Sequence, residues 1–485
     1  MNSANKPVAQ DDKIKKSLSA SIHEGALNSA SATIFSTFIV PLALALKASN
    51  LQIGFLSTAQ ELAATAGQIP GAKMTAYFDR KKIWLISQIV GKILLWIPII
   101  LLPFMSLHDP VTYLIIFASM SSFFLALRGP AWSSLMGDLV RENRGKYFGK
   151  RNVIVGASGV ITTLVAGFIV GAFGFAVIFS IGLVLTIFSL PIFMRMYEPV
   201  SPKVFHYKHD FAFNPKDWIK SVQINARLAI FTLYSTVFNF AVQMAAPFYT
   251  VYMLKDLAIG YELFSVMIIA GAATRLISFK YWGYLTDKYG SRKILLVTGV
   301  FACFTPFGWM LSSAAWQIFL VKIFDGFIFA GMDQVVFNYL LDATPANKRP
   351  QHVANYNFFA GLGIVFGAVT GGLIAESMQN STFLIFTGLQ IVFFSSFIIC
   401  IGASLLLSRV KEIDIKQTDI MPLRYVFWQT LAVEPASGLK NVVNFTFRST
   451  FDREAEYVKA IRKRQEQQAR ENRKNQIIEG TQGKE

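Results

Sequence analysis

The sequence predicts an all-α integral membrane protein of twelve transmembrane helices, arranged as two parallel six-helix repeats. Three observations carry that prediction. The chain of 485 residues is 53% hydrophobic, with a mean hydropathy of +0.44, well above the usual soluble range. The apolar residues gather into twelve runs, each near the length that spans a bilayer. Only 15% of residues are charged, yet 46 Lys+Arg stand against 29 Asp+Glu, and this excess falls between the runs, as basic loops of a multi-pass protein do. A nucleic-acid binder would carry its charge on a soluble face, so no nucleic-acid partner is expected. Cys303 and Cys400 both lie deep in apolar sequence, which supports neither a disulfide framework nor a zinc site.

A hydrocarbon core about 30 Å thick takes roughly 20 helical residues, because every backbone N–H must be satisfied within the segment. The first run, 22–46, is too long for the apolar region of a signal peptide and reads as a retained span. The second, 51–76, carries Glu61 at mid-span, with Gly54, Ser57, Thr65 and Gln68 near the same helical face. Runs 83–106 and 111–137 follow, the latter holding Arg128 just before Gly129-Pro130. Very little polar sequence separates 152–172 from 176–195. After the linker come 228–253, with Asn239, Gln243 and several tyrosines, and 262–285, with Arg275. Then come 293–313; 316–341, with Lys322, Asp325 and Asp333; the glycine-rich 354–375; and 381–408. This gives a cytoplasmic N-terminal segment at 1–21, a six-helix bundle at 22–196, a linker at 197–227 holding Pro199, Pro202 and Pro215, a second bundle at 228–408 and a basic tail at 409–485. Within the tail, Tyr425-Val-Phe427-Trp428 suggests an interfacial helix, and the basic stretch from Arg453 to Lys474 suits anionic headgroups.

Orientation follows from the basic residues. With both termini inside, the inner loops hold Arg80, Lys81 and Lys82; Arg141, Arg144, Lys146, Lys150 and Arg151; Lys288, Arg292 and Lys293; and Lys348 and Arg349. The outer loops hold only Lys47 and Lys255. This asymmetry predicts a multi-pass protein of the cell membrane with both termini cytoplasmic.

Six spans on either side of one linker invite a search for a repeat. Gly71-Ala-Lys-Met-Thr75-Ala-Tyr77-Phe78-Asp79-Arg80-Lys81 lies without gaps on Gly283-Tyr-Leu-Thr-Asp287-Lys-Tyr289-Gly290-Ser-Arg292-Lys293, with Gly, Tyr, Arg and Lys coinciding. Arg144 likewise corresponds to Arg349, Gly156 to Gly361 and Gly167 to Gly372. Six spans return the chain to the same side, so the copies are parallel. On these features the chain resembles the major facilitator superfamily from about residue 20 to 408, and Gly283-x-Leu285-x-Asp287-Lys-x-Gly290-x-Arg292-Lys293 is similar to that family's cytoplasmic gate motif. In the first copy Thr75 replaces the acid and Phe78 the second glycine, with Asp79 as a stand-in. Gly71, Arg80 and Lys81 complete the first-half motif. The glycines of the fifth span (Gly159, Gly167, Gly171 and Gly174) come without the proline of the family's antiporter signature.

The resemblance implies that spans one, four, seven and ten line a central cavity and that the halves rock about it. An ionisable group inside a span costs roughly 2.5–3.5 kcal/mol on insertion scales and therefore marks a partner or a pathway. The candidate substrate and proton site comprises Asn28, Glu61, Arg128, Asn239, Gln243, Arg275, Asp325 and Asp333. Within it, Arg275 is the counter-charge expected for Glu61. Lys322 and Asp325, three apart, are placed either in a local ion pair or in coupling. Such a cavity suits a small polar or amphipathic solute moved by alternating access. No nucleotide loop of the Gly-x-x-x-x-Gly-Lys-Ser/Thr type occurs, so ATP is not the expected energy source. A carboxyl group that faces each side in turn can take up and release a proton, so proton coupling is expected, with sodium as the competing ion. The chain is expected to be a monomer in the lipid bilayer, with no cofactor, no metal and no enzymatic activity. A different class of reading makes it a transporter-like solute sensor or scaffold that signals through its tail.

Overall fold

Every predicted apolar run is helical over most of its length in the computed structural model, which describes residues 6–140, 144–199, 226–343, 349–378 and 387–407. All of these fall in one unit, residues 1–418; a second unit, 419–485, lies outside the described residues, as do most of the linker and the tail. In chain order the helices are α1 (Lys6–Ala45), α2 (Asn50–Tyr77), α3 (Arg80–Phe104), α4 (Pro110–Leu139), α5 (Arg144–Phe173), α6 (Phe175–Met194), α7 (Ala226–Val251), α8 (Tyr261–Tyr289), α9 (Ser291–Leu311), α10 (Ala315–Ala343), α11 (Arg349–Ser377) and α12 (Gly388–Leu407). No strand occurs among the described residues. Eleven of these helices contain stretches long and apolar enough to cross a membrane. The remaining one, α2, matches them in length but carries Gln60, Glu61, Thr65 and Gln68 through its middle, and it lies between α4 and α11 of opposite halves.

Local chemistry sets the helix breaks. Ser49 closes a capping box at the start of α2: its hydroxyl accepts from the Gln52 N–H at 3.2 Å, and its own N–H donates to Gln52 Oε1 at 3.0 Å. Asp109 accepts from the Thr112 N–H at 3.2 Å, with Pro110 at the first helical position of α4. Gly174, at φ 81°, separates α5 from α6, and Gly290, at φ 84°, separates α8 from α9; both adopt the conformation that glycine alone reaches without strain. Helix α3 is interrupted by a π turn over Ile89–Leu94.

The packing repeats between halves. Helix α2 lies on α4 as α8 lies on α10, and α1 lies on α5 and α6 as α7 lies on α11 and α12. Gly363, Gly367 and Gly371 bring α11 against the backbone of α7 at Thr236, Phe240 and Met244. The halves meet mainly through α2 with α11 and α5 with α8. The polar and backbone contacts among these meetings lie toward one end. Thr58 donates to the Val365 carbonyl at 3.2 Å, Asn50 to the Ala375 carbonyl at 3.3 Å, and the Leu51 N–H to Glu376 Oε2 at 3.3 Å. Gly167 abuts Tyr261 and Ser265, and Gly171 abuts Glu262. Phe38 and Phe264 meet edge to face at 6.1 Å, as do Phe175 and Tyr261 at 5.4 Å. One continuous apolar core seals this end, drawing Phe38, Leu42, Ile53, Val170 and Ile178 from the first half and Phe248, Val251, Phe264, Met267 and Leu389 from the second.

At the opposite, basic end, the core formed by Trp84, Leu135, Met136, Leu139, Phe193 and Met196 belongs to the first half alone. Gly156 of α5 meets α8 there only through the Leu276 side chain, at 3.8 Å from where a Cβ would stand. Thr65, Gln68 and Lys73 along α2 are exposed. The two halves are therefore joined at the sealed end and parted at the basic end.

Candidate functional site

Midway along the first half, Asn28 of α1 gathers three donors on one amide oxygen. Its Oδ1 accepts from Lys92 Nζ of α3 at 2.8 Å, from Gln88 Nε2 of α3 at 3.1 Å and from Arg128 Nη1 of α4 at 3.1 Å. Lys92 is fully buried, and it also donates to Ser31 Oγ at 3.1 Å and lies 5.5 Å from the Trp96 ring centre. The ammonium projects from the π turn of α3; within that turn, the Gly91 carbonyl accepts the Ser121 hydroxyl at 2.5 Å. Glu24, one helical turn before Asn28, is 1% exposed and within electrostatic reach of Arg128, Arg151 and Lys92. It forms no ion pair with any described residue, and its Oε1 is buried without a hydrogen-bond partner.

The second half is arranged differently. Arg275 of α8 pairs with Asp333 of α10, and both are about half exposed. This corrects the expected partnership of Arg275 with Glu61: α8 packs on α10 of its own half, which brings Arg275 to Asp333. Glu61 is half-buried and makes no ion pair among the described residues. Lys322 and Asp325 likewise form no ion pair among the described residues. The Lys322 ammonium lies 5.2 Å from the Trp309 ring centre and 5.9 Å from that of Tyr249, two rings stacked at 4.3 Å. Both halves thus set a buried or half-buried lysine beside a tryptophan. Asn239 spends its amide on the Ser235 carbonyl one turn back, at 2.8 Å, and Gln243 is half-buried. Tyr234 belongs to the core rather than to the cavity.

The gate motifs differ in a related way. Arg80 is 5% exposed: it donates to Asp138 Oδ2 at 2.6 Å, to Ser134 Oγ at 3.2 Å, to Glu198 Oε1 at 3.3 Å and to the Pro199 carbonyl at 2.9 Å. Lys81 Nζ donates to the carbonyls of Met194 and Met196 at 2.6 and 2.7 Å. Together these residues staple the end of α6 and the start of the linker to α3 and α4. Asp79, the expected stand-in acid, is engaged by Lys82 at 2.9 Å. Gly71 brings α2 against the Leu127 backbone of α4, and Gly283 faces the Gln334 side chain. In the second copy Arg292 and Lys293 are half-buried behind Gly290, and the Asp287 side chain lies outside the described residues. No group of His, Cys, Asp and Glu among the described residues could hold a metal.

The family model described as Major Facilitator Superfamily matches twice, at residues 25–276 and 231–432. A transporter of that type from Bacillus subtilis (strain 168), YqjV, is 26% identical over 178 residues, covering 35% of this chain and 41% of its own length. The class B tetracycline resistance protein of Escherichia coli is 28% identical over 131 residues, covering 27% of this chain and 32% of its own length. The matches thus span between about a third and two fifths of these relatives. Among solved structures, the nucleoside transporter NupG superposes with a TM-score of 0.65 at 13% identity, over 82% of this chain and 98% of that one. A bacterial homologue of the iron transporter ferroportin, in an inward-facing state, gives 0.62 at 12% identity, over 82% and 98%. At these identities the likeness concerns the fold.

Proposed function

Because this chain belongs to the major facilitator superfamily and is a multi-pass membrane transporter rather than an enzyme, we propose that it is a secondary active transporter moving a small polar or amphipathic solute by alternating access, coupled to protons. The observation that carries the proposal is the one-ended closure. A continuous apolar core and direct backbone contacts join the halves at the Asn50 end, while the basic end stays parted and the polar cluster around Asn28 lies between the two levels. Rocking of the halves about that cluster opens the sealed end and closes the other. With the basic loops in the cytoplasm, the conformation is inward-facing, both termini are cytoplasmic and the protein acts as a monomer.

Three acids are the proton carriers in this reading. Glu24 sits among Lys92, Arg128 and Arg151; Glu61 and Asp325 are half-buried on α2 and α10. The relatives named for tetracycline resistance and for nucleoside transport differ in solute, so the test uses a panel. Uptake and efflux are measured in sealed vesicles under a pH gradient, a sodium gradient and no gradient, for wild type and for Glu24→Gln, Glu61→Gln and Asp325→Asn. Accumulation driven by the pH gradient and lost in at least one variant is expected. Full gradient-driven accumulation in all three variants would refute the coupling assignment. Binding without movement would point instead to a sensor.

A further inference from the structure

The charges around Asn28 do not balance. Lys92, Arg128 and Arg151 each act electrostatically on Glu24, and Arg128 acts on Lys92, so basic groups outnumber the one carboxylate even when Glu24 is ionised. Glu61 is not among the charges acting on Lys92 or Arg128. In the second half, Asp333 is paired with Arg275, and Asp325 lies within electrostatic reach of Lys322.

The donors are also under-used. An amide oxygen offers two lone pairs, yet Asn28 Oδ1 is shared by Lys92, Gln88 and Arg128. Arg128 carries five N–H donors in a fork that matches carboxylate and phosphate. Among the described residues it makes one hydrogen bond, to that shared oxygen, and no ion pair. A cation held this deep costs free energy unless an acceptor meets it. Glu24 is near enough to feel Arg128 but does not bond to it, and its buried Oε1 is itself unpartnered.

We propose that the transported solute carries an oxyanion, a carboxylate or phosphate group, that is received by the free edge of the Arg128 guanidinium with Lys92 behind it at Asn28. The proposal rests on the transporter reading for what happens to the anion after binding, and on the charge cluster alone for the binding itself. Arg128 is half-buried, whereas Lys92 is wholly enclosed. Arg128 is therefore the group that touches the anion. Lys92 acts through Asn28 and the local potential, as a positioning residue.

The test uses purified full-length protein in detergent at constant ionic strength, with chloride replaced stepwise by benzoate or by phenyl phosphate and with benzamide as the neutral control. The thermal midpoint is followed by tryptophan fluorescence. A saturable rise with benzoate or phenyl phosphate, but not with benzamide, is expected, and which of the two anions acts at lower concentration tells carboxylate from phosphate. Arg128→Gln is expected to weaken the anion response by roughly tenfold or more, the worth of a charge-assisted hydrogen bond. If that variant does not fold, Arg128→Lys carries the same test, with a weaker response expected because the fork is lost. Midpoints in both anions equal to those in chloride, an equal rise with benzamide, or an unchanged response in the arginine variants would overturn the proposal. Benzoate that binds but never crosses a sealed vesicle would sink the transporter reading and leave the site standing. A cationic solute carried equally well by wild type and Arg128→Gln would do the reverse.

Discussion

Gly54 sits where α2 of the first half crosses α11 of the second, in the contact that seals one end of the cavity. A Cβ added there would stand 2.7 Å from the Ala368 carbonyl oxygen and 3.2 Å from the Gly372 Cα. Both neighbours are backbone atoms, so no side-chain rotation relieves the clash; the helices must separate. Overpacking of this kind costs about 1–3 kcal/mol, and the cost falls on the closed arrangement alone. The gain in helix propensity from Gly to Ala, up to about 1 kcal/mol, is common to both arrangements and cancels. Gly54→Ala should therefore raise the ratio of open to closed by roughly 5- to 150-fold. Thr58, one turn further along α2, is buried beneath the seal with its hydroxyl on the Val365 carbonyl, so Thr58→Cys reports opening. In a background with Cys303 and Cys400 changed to alanine, a membrane-impermeant maleimide added on the Asn50 side should label Thr58→Cys faster by that factor when Gly54→Ala is present. Gly371→Ala, which wedges α11 against Met244 within one half, should lower the thermal midpoint and leave labelling unchanged. An unaltered labelling rate in Gly54→Ala would refute the view that this crossing is the seal.

Lys92→Met removes a buried charge that repels Arg128, so the thermal midpoint should stay level or rise, corresponding to about 1–4 kcal/mol at most, while transport is lost; a midpoint well below wild type would contradict the reasoning. The Thr112 hydroxyl, followed by backbone and Gln52 donors, holds the Asp109 carboxyl below its ordinary value of 3.8. Its contribution to the α4 cap is therefore present in full above that value and is lost as pH falls through the lower folded one, so amide exchange at Thr112 should accelerate only in that acidic window, and in Asp109→Asn the acceleration should be absent. Asp287→Asn should change turnover far more than equilibrium affinity for the solute, and Thr75→Ala, whose hydroxyl only bonds the Ala72 carbonyl of its own helix, should change neither; equal turnover in Asp287→Asn and wild type would reduce the motif to a turn.

Helix number and repeat were legible because they depend on span length and on a loop pattern that recurs in both halves, both of which survive any error in tertiary arrangement. Asn28 and Arg128 were legible as polar groups in the expected cavity helices. Lys92 was not: a single lysine in Ile86–Leu101 barely lowers the hydropathy of a twenty-residue window, and the π turn shifts its face away from the 3.6-residue periodicity by which faces are assigned. The partner of Arg275 was misjudged because a helical face does not say which helix lies across from it. Lys322 and Asp325 obey the i,i+3 spacing of an ion pair, yet the stacked rings of Trp309 and Tyr249 from other helices hold the ammonium.

The π turn in α3 has a consequence for how this chain can change over generations. A π turn holds one residue more than the α turn it replaces, and each residue of an α-helix rotates the chain by about 100°. In regular α-helix an extra residue would turn everything beyond it by about that angle, whereas the π turn absorbs it, so deleting one residue from Ile89–Leu94 would restore regular helix with the segments on either side facing as they do now. Point substitutions adjust the strength of the cluster by degrees, whereas the loss of a single codon within the turn would re-aim Lys92 in one step and leave the rest of α3 in place. The converse also holds: a plain apolar helix in an ancestor could have acquired a buried cation facing Asn28 through one inserted residue, without any change in the surrounding bundle.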